Sequence, residues 1–218
     1  MPIAPLRVDD DVDLVGGLKR GDEAAFVTLV QRYQRPLLRL AIVYCRNLAV
    51  AEEIVQDTWL GVIRGIERFE ERAAFKTWLF QILVNRARTR AAQEGRAGSF
   101  ASLDDEAEAP AEPAVPAERF RGADDKWANN WAVPPHSWGG GAGESTDARL
   151  LASETMELVT RAISTLPPAQ QQVITLRDVQ GWPAEDVCNV LMISQTNQRV
   201  LLHRARSRVR ALLEKHFK

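Results

Sequence analysis

The chain has 218 residues, 45% apolar and 26% charged, with 28 Lys/Arg against 29 Asp/Glu, the balance of a globular protein of one large or two small domains. It holds no uninterrupted apolar run near the roughly 18 residues a membrane helix needs. Its first stretch, MPIAPLRVDDDVDLV, is acidic where a signal peptide needs an apolar core, so a cytoplasmic protein without membrane insertion is expected. Cys45 and Cys188 stand far apart among apolar neighbours, the pattern of buried thiols in a reducing compartment.

Residues 1–12 read as an acidic tail, and residues 13–95 as a first, all-helical domain. Asp22 can cap a helix whose apolar positions are Phe26, Leu29, Val30, Tyr33, Leu37, Leu40, Ala41 and Tyr44, a single stripe of 3.6-residue period. Pro36 should kink it, because proline lacks an N–H and crowds the preceding turn. A second helix is expected after Asn47, burying Ile54, Val55, Ile63 and Ile66 and ending near Phe69. A third, from about Ala74 to Gln93, should bury Phe75, Trp78, Leu79, Ile82 and Val84. No window alternates with a period of two, so no strands are expected.

Residues 96–149 lose this periodicity. DDEAEAPAEPAVPAE is acidic, rich in Ala and Pro and poor in apolar bulk, a linker composition. A flexible coil of that length spans on the order of 40 Å, slightly more than one turn of DNA at about 34 Å. Within it, DDKWANNWAVPPHSWGGG carries Trp127, Trp131 and Trp138. Tryptophan is normally buried or held at an interface, which makes these three expected anchors for the linker.

Residues 150–218 form a second expected helical domain. Leu151, Leu158, Val159, Ala162 and Ile163 make one stripe, closed by LPP at Leu166–Pro168. A helix carrying Val173, Ile174 and Leu176 leads to Gly181, and Pro183 opens a short helix ending near Leu191. Ser194 is a good N-cap for a long basic helix. From Arg199 to Lys218 seven Arg or Lys face one acid, Glu214, whereas from Ala97 to Glu157 about a dozen acids face four basic residues. A basic end joined to an acidic middle suggests a nucleic-acid-binding end with a polar spacer, although a solvated basic helix face reads the same way.

WPAEDVCNVLMISQTNQRVLLHRARSRVR has the layout of a helix-turn-helix, a short helix, a turn and a Ser-capped second helix. Polar groups able to reach base edges (Gln195, Thr196, Asn197, Gln198, Arg199) cluster at the start of the second helix. The arginines behind them suit phosphates, which set affinity but not sequence choice.

The stretch LPPAQQQVITLRDVQGWPAEDVCNVLMISQTNQRVLLHRARSRVRALL resembles region 4 of sigma-70 family transcription initiation factors of the extracytoplasmic-function subgroup. AFVTLVQRYQRPLLRLA, AEEIVQDTWLGVIRGIERF and AFKTWLFQILVNRARTR resemble region 2 of the same family, in order. The resemblance implies an all-α fold of two small helical domains joined by a long, largely irregular linker. It implies core RNA polymerase, through its beta and beta-prime subunits, and promoter DNA as partners. Many family members are also held by an anti-sigma factor, which adds that class to the partners to be tested.

By the resemblance, AEEIVQDTW docks on a coiled coil of the largest polymerase subunit through Glu53, Gln56 and Asp57, which share a helix face by their spacing. The loop from Phe69 to Ala74 would receive an extruded base of the −10 element, an event that costs a few kcal/mol of unstacking. Phe69 would line the pocket, Asn85 would contact the base, and Arg86, Arg88 and Arg90 would hold the strand's phosphates. Trp78 shares the apolar stripe of Phe75 and Ile82 and is expected in the core. For the −35 element, Arg199, Val200, His203 and Arg204 match groove-facing positions and Arg177 a phosphate contact.

Two positions depart from the family pattern. Met192 stands where Gly is common in the turn, and a left-handed non-Gly residue costs about 1–2 kcal/mol. TNQRVL replaces GTVKSR and puts Gln198 where an apolar residue is usual, so either the helix rotates slightly or Gln198 is buried and hydrogen-bonded. The resemblance further implies weak DNA binding by the free protein.

A stand-alone helix-turn-helix regulator is the competing reading, and it leaves the first domain idle. There is no Gly-rich phosphate loop, metal-ligand cluster or Ser/Cys–His arrangement. GGGAG at Gly139–Gly143 lacks the Lys-Ser/Thr of a nucleotide loop, and His203 lacks the Cys/His spacing of a zinc site. Neither an enzyme, a cofactor nor a metal is expected.

Overall fold

The structure of the protein, a computed structural model, describes residues 11–94 and 146–216, with side chains placed over 11–94 and 155–215. The expected anchors Trp127, Trp131 and Trp138 lie outside the described residues. All regular structure among the described residues is helical, and no described helix is long and apolar enough to cross a membrane.

Helix α1 (Val12–Lys19) ends at Gly21, whose φ of +81° suits a residue without a Cβ. Gly17 lets α1 lie close to the next helix, since a Cβ there would stand 2.9 Å from the Cβ of Ala25. Asp22 opens α2 (Glu23–Cys45) by accepting from the amides of Ala24 at 2.9 Å and Ala25 at 3.4 Å, a cap worth about 1 kcal/mol. The expected stripe is buried at Leu29, Tyr33, Leu37, Leu40, Ala41 and Tyr44. Pro36 sits inside a helix that runs on past it, and its carbonyl accepts from Gln180 Nε2 at 3.1 Å.

Asn47 caps α3 (Leu48–Gly65) through the amides of Ala49 and Val50. This helix buries Ala51, Ile54, Val55, Thr58, Trp59 and Val62 and passes through a 3₁₀ turn at Ile66–Arg68. Ile63, expected in the core, is 51% exposed. At about 100° per residue, Val62 lies almost above Val55, whereas Ile63 is rotated a further quarter-turn outward. Helix α4 (Phe75–Gln93) buries Phe75, Leu79, Phe80, Leu83, Val84, Ala87 and Ala91. Trp78 and Ile82, also expected inside, are half-buried at its flank. Tyr33 joins α2 to α4 through ring contacts with Phe75 and Phe80. Each large apolar side chain so buried contributes about 1.5–3 kcal/mol.

In the second stretch, α5 is Thr146–Ser164, α6 is Pro168–Ile174 with a π turn continuing over Thr175–Val179, α7 is Ala184–Leu191 and α8 is Gln195–His216. Pro168 takes the first turn of α6, where its missing N–H costs nothing. Ser194 caps α8 by accepting from the amide of Asn197 at 3.1 Å. Among the described residues, 11–94 and 167–202 form one compact unit, and the remainder of α5 and α8 belongs to a second. In the second unit Ala162, Leu166, Ala205 and Val209 are buried.

Within the first unit the segment 167–202 packs on the N-terminal helices. Trp182 is fully buried, its ring 4.6 Å from that of Phe80 and under the Lys76 ammonium at 3.7 Å. Tyr44 donates to Gln172 Oε1 at 3.0 Å.

Candidate nucleic-acid interface

Glu53, Gln56 and Asp57 are all exposed on α3. Opposite them on α4 stand two of the expected strand-binding arginines. Arg90 Nη2 lies 3.4 Å from Glu53 Oε2, and Arg86 Nη1 lies 4.0 Å from Asp57 Oδ2. The same antiparallel register continues one turn at a time. A Cβ on Gly61 would stand 2.8 Å from Arg86 Nη2 and 3.2 Å from Ile82 Cγ2, and one on Gly65 would stand 3.3 Å from Trp78 Cζ2. Residues 53, 57, 61 and 65 thus face 90, 86, 82 and 78. The glycines give α4 its close approach, and the carboxylates give it charge compensation.

This seam ends at the loop expected to receive a base. Phe69 is 8% exposed and stacks on Trp78 with ring centroids 4.8 Å apart and planes at 29°, while Phe75 meets Phe69 edge-on. Phe69 is therefore walled in by Trp78, the half-exposed member of the pair. Lys19 reaches across from α1, with its ammonium 5.6 Å from the Phe69 centroid and 2.6 Å from Glu71 Oε1. Glu71 holds a left-handed φ of +56°, a conformation that costs about 1–3 kcal/mol and gathers at functional loops. Lys19 and Trp78 are absent from the surface read from the sequence. Trp78 was legible in principle, since with Ile82 and Asn85 it follows the edge of the apolar stripe and not its centre.

Asn85 is exposed on α4. The arginines of that helix do not share a face. Arg86 and Arg90, four apart, turn towards α3, whereas Arg88 turns the other way and donates from Nη2 to the carbonyl of Leu191 at 2.8 Å. Gln81 does the same for Asn189 at 3.1 Å. Together they satisfy two of the four carbonyls that the end of α7 leaves without an intrahelical partner.

The helix-turn-helix has the expected boundaries. Met192 adopts φ +59° and ψ +46° and is 74% exposed, so the left-handed turn is made here without glycine. Gln198 is 2% exposed and Asn197 4%, so burial of Gln198 is the realised alternative, but its Nε2 reaches no hydrogen-bond acceptor among the described residues. Arg199 and His203 are exposed on α8, and Val200 and Arg204 are half-buried. Arg177, expected on a phosphate, donates from Nη1 to the carbonyl of Trp182 and is half-buried. Burial pushes the Cys188 thiol up, against the pull of the Arg177 and Arg199 charges, which keeps it a protonated, inert packing group.

Among the described residues, Lys76 is the ammonium whose pKa is shifted. Burial pushes it down to about 8, and the carboxylates of Asp186 and Asp11 oppose that shift. Asp11 in turn accepts from Arg32 Nη1 at 2.5 Å and from the Tyr33 hydroxyl.

Two family models match the chain, Sigma-70 region 2 over residues 29–97 and Sigma-70, region 4 over residues 156–209. The RNA polymerase sigma-H factor of Pseudomonas aeruginosa is 26% identical over 209 residues, 96% of each chain. The ECF RNA polymerase sigma-E factor of Escherichia coli is 27% identical over 201 residues, 91% of this chain and 92% of the relative. Among solved structures, CnrH in complex with the cytosolic domain of CnrY superposes with a TM-score of 0.55 at 20% identity, covering 94% of this chain and 97% of the other. The sigma factor RpoE in complex with the anti-sigma factor NepR from Bartonella quintana does so with a TM-score of 0.54 at 21% identity, covering 87% and 96%.

Proposed function

This chain belongs to the sigma-70 family, as an RNA polymerase sigma factor of the extracytoplasmic-function group, and we propose that it docks on core polymerase through Glu53, Gln56 and Asp57 on α3. Residues 13–95 bind the −10 element and help to melt it. Trp78, backed by the buried Phe69, forms the aromatic wall for an extruded base, Asn85 reads that base, and Arg86 and Arg90 hold the strand. Residues 150–218 present Arg199, Val200, His203 and Arg204 of α8 to the −35 element. Arg177 supports them by tying the loop before α7, and its phosphate contact follows if that tie opens. The bond-making chemistry remains the polymerase's own, and the protein acts in the cytoplasm beside it.

The observation that carries this reading is the α3–α4 seam, where exposed docking acids, strand arginines and the Phe69–Trp78 loop occupy one continuous surface. A stand-alone helix-turn-helix regulator has no use for that surface. Arg88 is occupied by the Leu191 carbonyl, so its role on the strand begins only when α7 leaves α4, in keeping with weak DNA binding by the free protein. The solved complex of RpoE with NepR makes a protein inhibitor the next partner class to test. Transcription in vitro with purified core polymerase over a randomised promoter library is the direct test. Promoter-specific initiation on addition of the protein is expected, and mere blockage of transcription would refute the reading.

A further inference from the structure

Two acids assigned to polymerase docking, Glu53 and Asp57, form ion pairs with two arginines assigned to the melted strand. Arg90 is bracketed by Glu53 at 3.4 Å and Glu94 at 3.2 Å, and Arg86 lies 4.0 Å from Asp57. Arg86 has a seat as well as a charge partner. The missing side chain of Gly61, one turn after Asp57, leaves the space its guanidinium occupies, where a Cβ would come within 2.8 Å of Nη2 and 3.4 Å of Nε. Both guanidiniums therefore lie beside carboxylates of α3 that compete with a phosphate for them.

We propose that Glu53 and Asp57 are positioning residues that hold Arg86 and Arg90 against α3 in the free protein. When basic groups of the polymerase neutralise the two carboxylates, the arginines pass to the phosphates of the single strand. This rests on the docking and strand assignments made above. The physics is additive. A carboxylate beside a guanidinium competes with phosphate for its N–H donors and also repels the incoming phosphate, and a cationic partner on the carboxylate weakens both effects. Coupling is reciprocal, so a strand that draws Arg86 and Arg90 away leaves Glu53 and Asp57 freer for polymerase. All four side chains are partly exposed, so each pair is worth at most about fivefold in affinity. The device grades strand binding and does not gate it.

The test is fluorescence anisotropy of a short labelled single-stranded oligonucleotide with the full-length protein at low salt, without polymerase. Glu53→Gln with Asp57→Asn, isosteric and on exposed positions, should tighten binding about two- to fivefold per pair released. That gain should disappear when the same changes are made on Arg86→Gln with Arg90→Gln, because there is nothing left to release. A gain of equal size in the arginine-less background would be a general charge effect and would overturn the proposal, as would no gain in the wild-type background. Arg86→Gln with Arg90→Gln alone should weaken the oligonucleotide. If it does not, the strand assignment fails, an outcome separable from failure of the acid–arginine coupling.

Discussion

At the residue scale, Lys76 shows how burial and charge compete at one atom. Its ammonium lies over the Trp182 ring and near Asp11 and Asp186, all of which favour the charged form. Burial nevertheless prevails and brings the group from 10.5 down to about 8. Below pH 8 the lysine is protonated both folded and unfolded. Between about 8 and 10.5 the unfolded chain holds the proton that the folded one has released, so this group makes stability rise with pH. Tyr44 acts in the opposite sense, since burial raises it above its ordinary 10 and its contribution is lost above that pH. Cys188, also raised, subtracts in the same range. Comparing wild type with Lys76→Met isolates the lysine. The melting temperature of wild type relative to the variant should climb from pH 7.5 to pH 9.5, and a pH-independent difference would contradict the neutral folded form.

At the element scale, a helix-turn-helix whose turn carries a non-glycine residue should have stability in reserve. Met192 pays for its left-handed φ while leaving 74% of itself in solvent, so little packing offsets the strain. Met192→Gly relieves about 1–2 kcal/mol of strain and gives back roughly 0.5–1 kcal/mol through the freer unfolded chain. The expected net gain is about 0.5–1 kcal/mol, a rise of roughly 1–4 °C in melting temperature. Calorimetry on the two proteins checks it. Elsewhere the elements are set by local chemistry, with Asp22, Asn47 and Ser194 each supplying a side-chain oxygen to the first free amides of a helix. The α3–α4 pair adds a non-local device to this, because Gly61 and Gly65 matter only through what α4 places against them.

At the scale of the first unit, the segment 167–202 and the N-terminal helices share one polar and aromatic boundary. Arg88 and Gln81 close the C-terminal end of α7, Tyr44 holds Gln172, Gln180 holds Pro36, and Trp182 is buried by Phe80 and Lys76. The Arg88 bond is charge-assisted and half-buried, a type worth about 1.5–3 kcal/mol. Arg88→Ala should therefore loosen α7, and hydrogen exchange of the free protein should show roughly tenfold faster exchange or more at the amides of α7. Unchanged protection would mean that the aromatic contact alone holds the segment.

The sequence by itself determined the helices from α2 onward, the residues at which they start and the helix-turn-helix. These rest on hydrogen bonds and apolar spacings within one or two turns, so Asp22, Asn47, Pro168 and Ser194 announce themselves wherever the chain goes. The family pattern likewise marked the exposed face of Glu53, Gln56 and Asp57 and the arginines of α4. Only the tertiary structure decided which way those arginines turn. Arg86, Arg88 and Arg90 look equivalent in a string, but a 100° step per residue sends Arg88 to Leu191 and the other two to acids on α3. The exposure of Ile63, the half-exposed Trp78 over a buried Phe69 and the burial of Gln198 have the same origin. Periodicity tells which side of a helix is apolar, whereas the partner and the depth of each flank residue depend on how closely and at what rotation a distant helix packs against it.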